Sequence, residues 1–365
     1  MELQTIHYEN FRNHQSLIFE PNEGINLIYG VNGSGKTSVL EGIHYCALTK
    51  GFVNSADSEC LMFNSDFFFL EGHFLSSEKI STSVKVGYTK EKEKGVTVNN
   101  LDIKPFSQHI GRLPCITFSP SELIIVTGPP SERRRFLDTA ISQTNHRYLE
   151  DLLAYRKVLQ QRNALLLQLR DRQVFSDDML SLWTEMLARL AASIISIRLA
   201  FLSAFSQPFY EVSQHFSRCE YPSIVYRSSI GKITDTITPD ALYDIFIRKF
   251  KEVQHTELMR AQTMIGPHRD DLTFLLNDKE IKKYASQGQL RTFLITLKLA
   301  EHRFFSELLG ESPLCLLDDI FSELDSIRVK NIFTLLESCG QSIITSTEVR
   351  SAQHISLFAI ESLKK

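Results

Sequence analysis

Apolar residues in the first third of the chain come in short runs. Positions 2–8 and 16–20 alternate in part between apolar and polar, and Ile25–Tyr29 is a continuous apolar run that ends at Gly30. Both patterns predict strands. Over 39–49 the spacing changes: Val39, Leu40, Ile43 and Ala47 share one helical face. Residues 66–105 return to β patterning, with strand-like runs at 67–70, 83–88 and 96–98 between Gly and charged turns. A further short strand at 116–118 is closed by Pro120.

The middle of the chain reads differently. From 133 to 205 there is neither Gly nor Pro, so long helices can run unbroken. Trp183, Leu187, Leu190, Ile194, Ile197, Phe201 and Ala204 alternate at spacings of four and three, a heptad seam, and Leu152, Leu159 and Leu166 recur every seventh position. Two such helices joined near 170–178 predict a short antiparallel, coiled-coil-like hairpin; an ordinary helical subdomain fits the same pattern. Beyond it the chain is mixed, with a strand at 223–226 and a helix at 239–255. From 261 strands return, followed by a helix at 288–309, an apolar strand at 314–317, a helix at 326–338 and a strand at 342–345.

Charge and cysteine usage narrow the classes. The net charge over 365 residues is −3, which excludes a uniformly basic nucleic-acid coat and leaves only a local basic patch for such a partner. The six cysteines form no CxxC pair and no zinc or disulfide framework, and the histidines make no metal-ligand pattern. A reducing compartment follows from this usage. The N-terminal residues carry no signal-peptide pattern, and there is no unbroken apolar run of about 18 residues. The expectation is a cytoplasmic protein without membrane contact.

The chemistry is concentrated at the two ends. Gly30-Val31-Asn32-Gly33-Ser34-Gly35-Lys36-Thr37 matches G-x-x-x-x-G-K-[ST] in full, after an apolar strand and before a helix. Its glycines let backbone N–H groups turn inward around phosphates, and the helix offers its positive end to them. Lys36 is expected to reach the β- and γ-phosphates of ATP and Thr37 to hold Mg²⁺ through its hydroxyl. Mg²⁺ also needs a carboxylate at a neighbouring strand end. The apolar run at 314–317 followed by Asp318 and Asp319 supplies one. Asp318 is the expected metal contact, and Asp319 is placed to orient or deprotonate the attacking water. The two motifs lie about 280 residues apart, too far for one continuous minimal P-loop domain, so the domain must be split.

Ser286-Gln287-Gly288-Gln289 precedes the helix at 288–309. Ser286 and Gly288 suit a helix N-cap, which leaves N–H groups exposed. With a single helix between it and Asp318, this segment resembles the signature motif of ABC ATPases, in which one subunit's signature closes over ATP held by another. Ser286, Gly288 and Gln289 are then nucleotide contacts made across a dimer, and Ser322-Glu323-Leu324-Asp325 resembles the D-loop at the same seam. The implied fold class is α/β: an ABC-type P-loop ATPase head, split into 1–125 and 256–365, with a mainly helical arm at 126–255.

Further stretches are similar to the RecF family of ABC/SMC-like ATPases, and in order they span the chain. They are Asn10-Phe11-Arg12-Asn13-His14, the segment 128–138 (GPPSERRRFLD), Gly266-Pro267-His268-Arg269-Asp270-Asp271, and 318–325 (DDIFSELD). Two positions depart from the family pattern: Ser121 stands where an acid is usual and Leu290 where a second Gln is common. The transporter switch histidine is replaced by Thr345-Ser346-Thr347, which argues against a transporter subunit. The insert is too short, and lacks the CxxC hook, for a Rad50-type arm. The resemblance implies an ATP-driven homodimer that binds duplex DNA and single-strand/double-strand junctions. With RecO and RecR it would help load RecA in gap repair and the SOS response, as a weak, DNA-stimulated ATPase. It also implies that Arg12 approaches the nucleotide.

The first part of the insert is more basic than the chain as a whole. Arg133, Arg134, Arg156, Lys157 and Arg162 are candidate contacts to DNA phosphates, directed at the backbone and independent of sequence. A solvated helix face with internal ion pairs reads equally well. His268 and Arg269 suit a turn joining strands better than catalysis.

Overall fold

The computed structural model describes residues 1–52, 56–172, 178–217, 219–234, 236–321, 324–349 and 354–364. In chain order the strands are β1 (Glu2–Phe11), β2 (His14–Phe19), β3 (Ile25–Tyr29), β4 (Phe67–Leu75), β5 (Ser81–Thr89), β6 (Lys94–Val98), β7 (Leu101–Asp102), β8 (Cys115–Phe118), β9 (Pro222–Arg227), β10 (Asp271–Leu276), β11 (Lys279–Glu280), β12 (Leu314–Asp318), β13 (Ser342–Ser346) and β14 (Ile355–Ala359). The α-helices are α1 (Lys36–Leu48), α2 (Ile124–Thr127), α3 (Pro130–Thr144), α4 (His146–Arg172), α5 (Asp178–Ser213), α6 (Pro239–Arg260), α7 (Ile281–Tyr284), α8 (Gln287–Leu309), α9 (Ser326–Leu336) and α10 (Ile360–Leu363). They form two compact units, Met1–Ile124 with Glu211–Glu220 and Ala285–Lys365, and Ile125–Tyr210 with Tyr221–Tyr284.

The first unit holds two sheets. One is antiparallel, in the order β2-β1-β4-β5-β6-β7; the other is parallel, in the order β14-β3-β13-β12-β8. Helix α1 packs against strands of both. Every residue from Val39 to Leu48 is therefore buried, including Glu41 and His44, where the sequence pattern shows a single apolar face. The strands follow their patterns. β4 and β5 alternate between buried and half-buried positions, as in a sheet covered on one face. β3 and β12 are buried along consecutive positions, as parallel strands covered on both faces require. The pattern does not foresee β14, which pairs in parallel with β3 at the sheet edge.

The second unit is mainly helical, with the small antiparallel sheet β11-β10-β9. Among the described residues the Gly- and Pro-free stretch holds three helices and not two. The chain breaks at Asn145, which leaves helical geometry at φ −140° and ψ 99°, and whose side chain accepts from Tyr148 N at 3.0 Å. Asn competes for backbone donors in this way without any Gly or Pro signal. Helices α4 and α5 run antiparallel. Tyr148 meets Arg198, Asp151 meets Ser193, and Arg162 meets Thr184. The buried face of α5 is wider than a heptad seam: Ala188, Ala191, Ala192 and Ile195 are buried beside Leu187 and Ile194, whereas Ala204 is exposed. That is the stripe of a core helix rather than a two-stranded coil. The helix also continues through Pro208.

By length and composition α5 could cross a membrane, although it holds no unbroken apolar run of that length; half of its apolar stretch is buried within the fold. Within that helix Arg198 bonds Tyr148, Tyr226, Asp138 and the Pro267 carbonyl.

Strand pairing moves the expected boundaries. β10 pairs with β9 along its whole length, so residues 256–284 fold with the helical unit and not with the first unit. Residues 211–220 fold with the first unit.

Candidate nucleotide-binding site

β3 delivers the chain to Gly30, and α1 begins at Lys36. Between them Gly33 and Gly35 take φ of 78° and 103°, the left-handed region that favours glycine. Gly35 has a second constraint: a Cβ there would lie 2.6 Å from the Asn13 amide and the His14 ring. No side chain caps α1, and its first turn carries no acid. Its leading N–H groups are thus free of side-chain competition, as an anion cradle requires. Lys36 Nζ donates to the carbonyls of Gly30 and Val31 at 2.9 Å. Burial pushes its ammonium below its usual pKa, against the pull of Asp318 and Asp319.

Thr37 Oγ1 donates to Asp318 Oδ1 at 2.8 Å, joining residues 281 apart. Thr345 Oγ1 donates to the same oxygen at 2.6 Å. Asp319 stands at φ 46° at the end of β12. These groups, with Asn13, Asn32, Pro120 and Thr347, line a cavity of about 370 Å³. A hydroxyl beside a carboxylate is a hard-oxygen donor set of the kind Mg²⁺ takes when substrate phosphates complete its shell. Among the described residues no group of three or more His, Cys, Asp or Glu gathers as an all-protein metal cage. The residues fit a magnesium nucleotide.

Other candidates lie elsewhere. Ser286 caps α8: its Oγ accepts from Gln289 N at 3.3 Å, while Gln289 Oε1 accepts from Ser286 N at 3.0 Å. This reciprocal capping box shapes the helix start. Ser286, Gly288 and Gln289 do not line the phosphate cavity of their own chain. Of the D-loop residues, Ser322 and Glu323 lie outside the described residues, and Asp325 caps α9.

Three of the candidate arginines have protein partners that the sequence did not show. Arg12 does not line the phosphate cavity. Its guanidinium is held by both oxygens of Glu41, at 2.6 and 2.7 Å, and by the Glu59 carbonyl. The neighbouring Asn13 lines the cavity instead, and His14 Nε2 lies 3.0 Å from the Gly35 carbonyl. Burial lowers the His14 pKa, which favours the neutral ring that donates this bond. Arg133 is buried, with Asp271 at 2.7 and 3.0 Å and the Gly128 carbonyl at 2.8 Å. Arg162 is 1% exposed and bonds Glu257, Thr263 and Thr184. Both arginines hold the helical unit together and are not surface cations. Arg134 is partly buried and donates to the Asp270 carbonyl. Arg156 and Lys157 remain exposed, Arg156 at 3.9 Å from Asp138.

Glu122, one position on from Ser121, accepts from Ser119 N at 2.9 Å and lies 3.6 Å from Lys298. His268 is structural, with Nδ1 on the Tyr155 hydroxyl at 2.6 Å and its pKa lowered by burial to about 4.

The AAA domain family AAA_23 matches residues 5–338. A "DNA replication and repair protein RecF" of Chlorobium luteolum is 56% identical over 348 residues, covering 95% of this chain and 94% of the relative. The chain belongs to the RecF family. A RecF of Chlorobium phaeobacteroides matches over the full length of both chains at 50% identity. A solved structure described as the recombination mediator protein RecF-ATP in the RecFOR pathway superposes with a TM-score of 0.90 at 33% identity, over 96% of this chain and 93% of that one. An Smc head, at TM-score 0.54 and 12% identity, shares the fold alone. The RecF-family architecture is thus an ABC-type α/β ATPase head with an inserted helical domain.

Proposed function

We propose that this RecF-family chain is an ATP-dependent DNA-binding protein of recombinational repair and replication. In this reading it dimerises on ATP, binds duplex DNA near single-strand gaps, and works with RecO and RecR in loading RecA. The observation that carries the reading is the Thr37–Asp318 bond, which joins the P-loop to the acidic end of β12 from the two ends of the chain.

Each residue has a role at that site. The Gly30–Gly35 backbone and the start of α1 cradle the phosphates. Lys36 neutralises the β- and γ-oxygens. Thr37 and Asp318 would hold Mg²⁺, which when bound screens the phosphate charge. Asp319 aligns a water and takes its proton. Ser286, Gly288 and Gln289 have no part in their own chain's cavity, so a partner's nucleotide is their proposed ligand. Arg156 and Lys157, exposed on α4, are the proposed DNA-phosphate contacts retained from the basic stretch.

The test is the steady-state ATPase rate of the purified protein with and without gapped duplex DNA, beside Lys36→Arg. Stimulation by DNA that vanishes in Lys36→Arg supports the reading. No stimulation would leave a DNA-independent ATPase or a nucleotide-binding scaffold. Ser286→Arg is expected to keep the protein monomeric by light scattering in saturating ATP, with ATP binding by the monomer unchanged. The substitution also removes a helix cap worth about 1 kcal/mol, so folding is checked alongside. An unaltered ATP-dependent dimer would sink the assignment of the signature across the interface.

A further inference from the structure

β13 is buried at every position, yet it ends in polar residues, and Thr345 is 1% exposed. A hydroxyl so deeply buried needs partners. Both of its partners belong to the acidic pair on the adjacent strand, where Asp318 is the register neighbour of Thr345. Thr345 Oγ1 gives its proton to Asp318 Oδ1 at 2.6 Å and accepts from the Asp319 N–H at 3.1 Å. The Thr345 carbonyl shares that N–H at 3.2 Å. These bonds fall at the residue whose φ of 46° turns the chain out of the strand.

We propose that Thr345 is a positioning residue of the hydrolytic site, one hydroxyl that aims the Asp318 carboxylate and holds the Asp319 backbone in its turn. The inference rests on the reading of this site as an Mg²⁺-ATPase. The hydrogen-bond inventory makes the role specific. A hydroxyl has one proton, and here it goes to Asp318; the lone pairs then face the Asp319 N–H. One rotamer therefore serves both acids. Thr37 sends its own proton to the same Oδ1 at 2.8 Å, so two hydroxyls from opposite ends of the chain fix one carboxylate oxygen. Partners of this kind, behind a metal-holding group, commonly govern metal affinity and rate by about 10–100-fold.

Thr345→Val keeps the branched shape and removes both hydroxyl bonds; Thr345→Ser keeps the hydroxyl and removes the methyl. The full-length protein is titrated with a fluorescent ATP analogue in excess Mg²⁺ and in EDTA, and its ATP turnover is measured. In Thr345→Val the Mg²⁺-dependent gain in nucleotide affinity is expected to fall about 10-fold and turnover about 10–100-fold, with affinity in EDTA unchanged. Thr345→Ser is expected to stay within about twofold of the parent protein in each. Unaltered Mg²⁺ dependence in Thr345→Val would overturn the inference. So would an equal loss in Thr345→Ser, which would make the methyl's packing the cause. If Thr345→Val does not fold, as judged by circular dichroism, Thr345→Ala takes its place. Hydrolysis that survives in Lys36→Arg would sink the ATPase reading itself, while the Mg²⁺-dependent affinity would still decide the role of Thr345.

Discussion

Asp319→Asn is expected to slow ATP hydrolysis by about 10²–10⁴-fold while leaving ATP binding and ATP-driven dimerisation in place. The substitution preserves volume and hydrogen-bonding reach. Asn is, with Asp, among the residues best suited to left-handed geometry, so the φ of 46° at this position costs it little. The backbone bond from residue 319 to Thr345 does not depend on the side chain and survives. What is lost is the carboxylate, and with it the capacity to take a proton from water. Single-turnover hydrolysis, read beside equilibrium nucleotide binding, separates the two. A rate within about threefold of the parent would remove Asp319 from the chemistry. A collapse of binding together with rate would instead make it a nucleotide contact.

Arg162→Ala is expected to destabilise the helical unit by about 3–5 kcal/mol, the cost of stranding a buried charge. Glu257 is fully buried and meets Arg162 at 2.6 Å. Its other oxygen accepts from Met264 N at 2.7 Å, which cannot replace a guanidinium. The same guanidinium stacks 4.7 Å over the Phe250 ring and bonds Thr184 and Thr263. Urea unfolding followed by intrinsic fluorescence reads the change. Arg162→Met combined with Glu257→Leu is expected to lose less than the sum of the single changes, because it strands no charge. A loss below about 1 kcal/mol in Arg162→Ala would return Arg162 to the surface cations and revive its candidacy as a DNA contact.

The contrast between these residues shows how far sequence reaches. The P-loop was legible because its chemistry is local. Eight consecutive residues carry the turn geometry, the lysine and the hydroxyl, and the strand and helix on either side follow from short-range periodicity. Asp318 and Asp319 were legible because an apolar run ending in acids marks the tip of a buried parallel strand. The splitting of the head followed from the distance between these motifs.

The basic stretch had no such local determinant. Five cations were candidates on charge alone, and charge does not reveal what lies opposite. Arg162 waits on Glu257 and Arg133 on Asp271, partners that only tertiary packing brings within bonding distance. Arg12 likewise has a partner that charge alone did not show, since Glu41 on α1 holds its guanidinium.

By itself, then, the sequence determined the P-loop motif with its strand–loop–helix setting, the acidic end of the β12 strand and the α/β class, because each is written in contiguous residues or in the period of apolar positions. Tertiary structure alone decided which arginines are struts, where the helical unit ends, and that Thr345 meets both acids. Those facts depend on which helices and strands lie side by side, and no spacing along the chain encodes that adjacency.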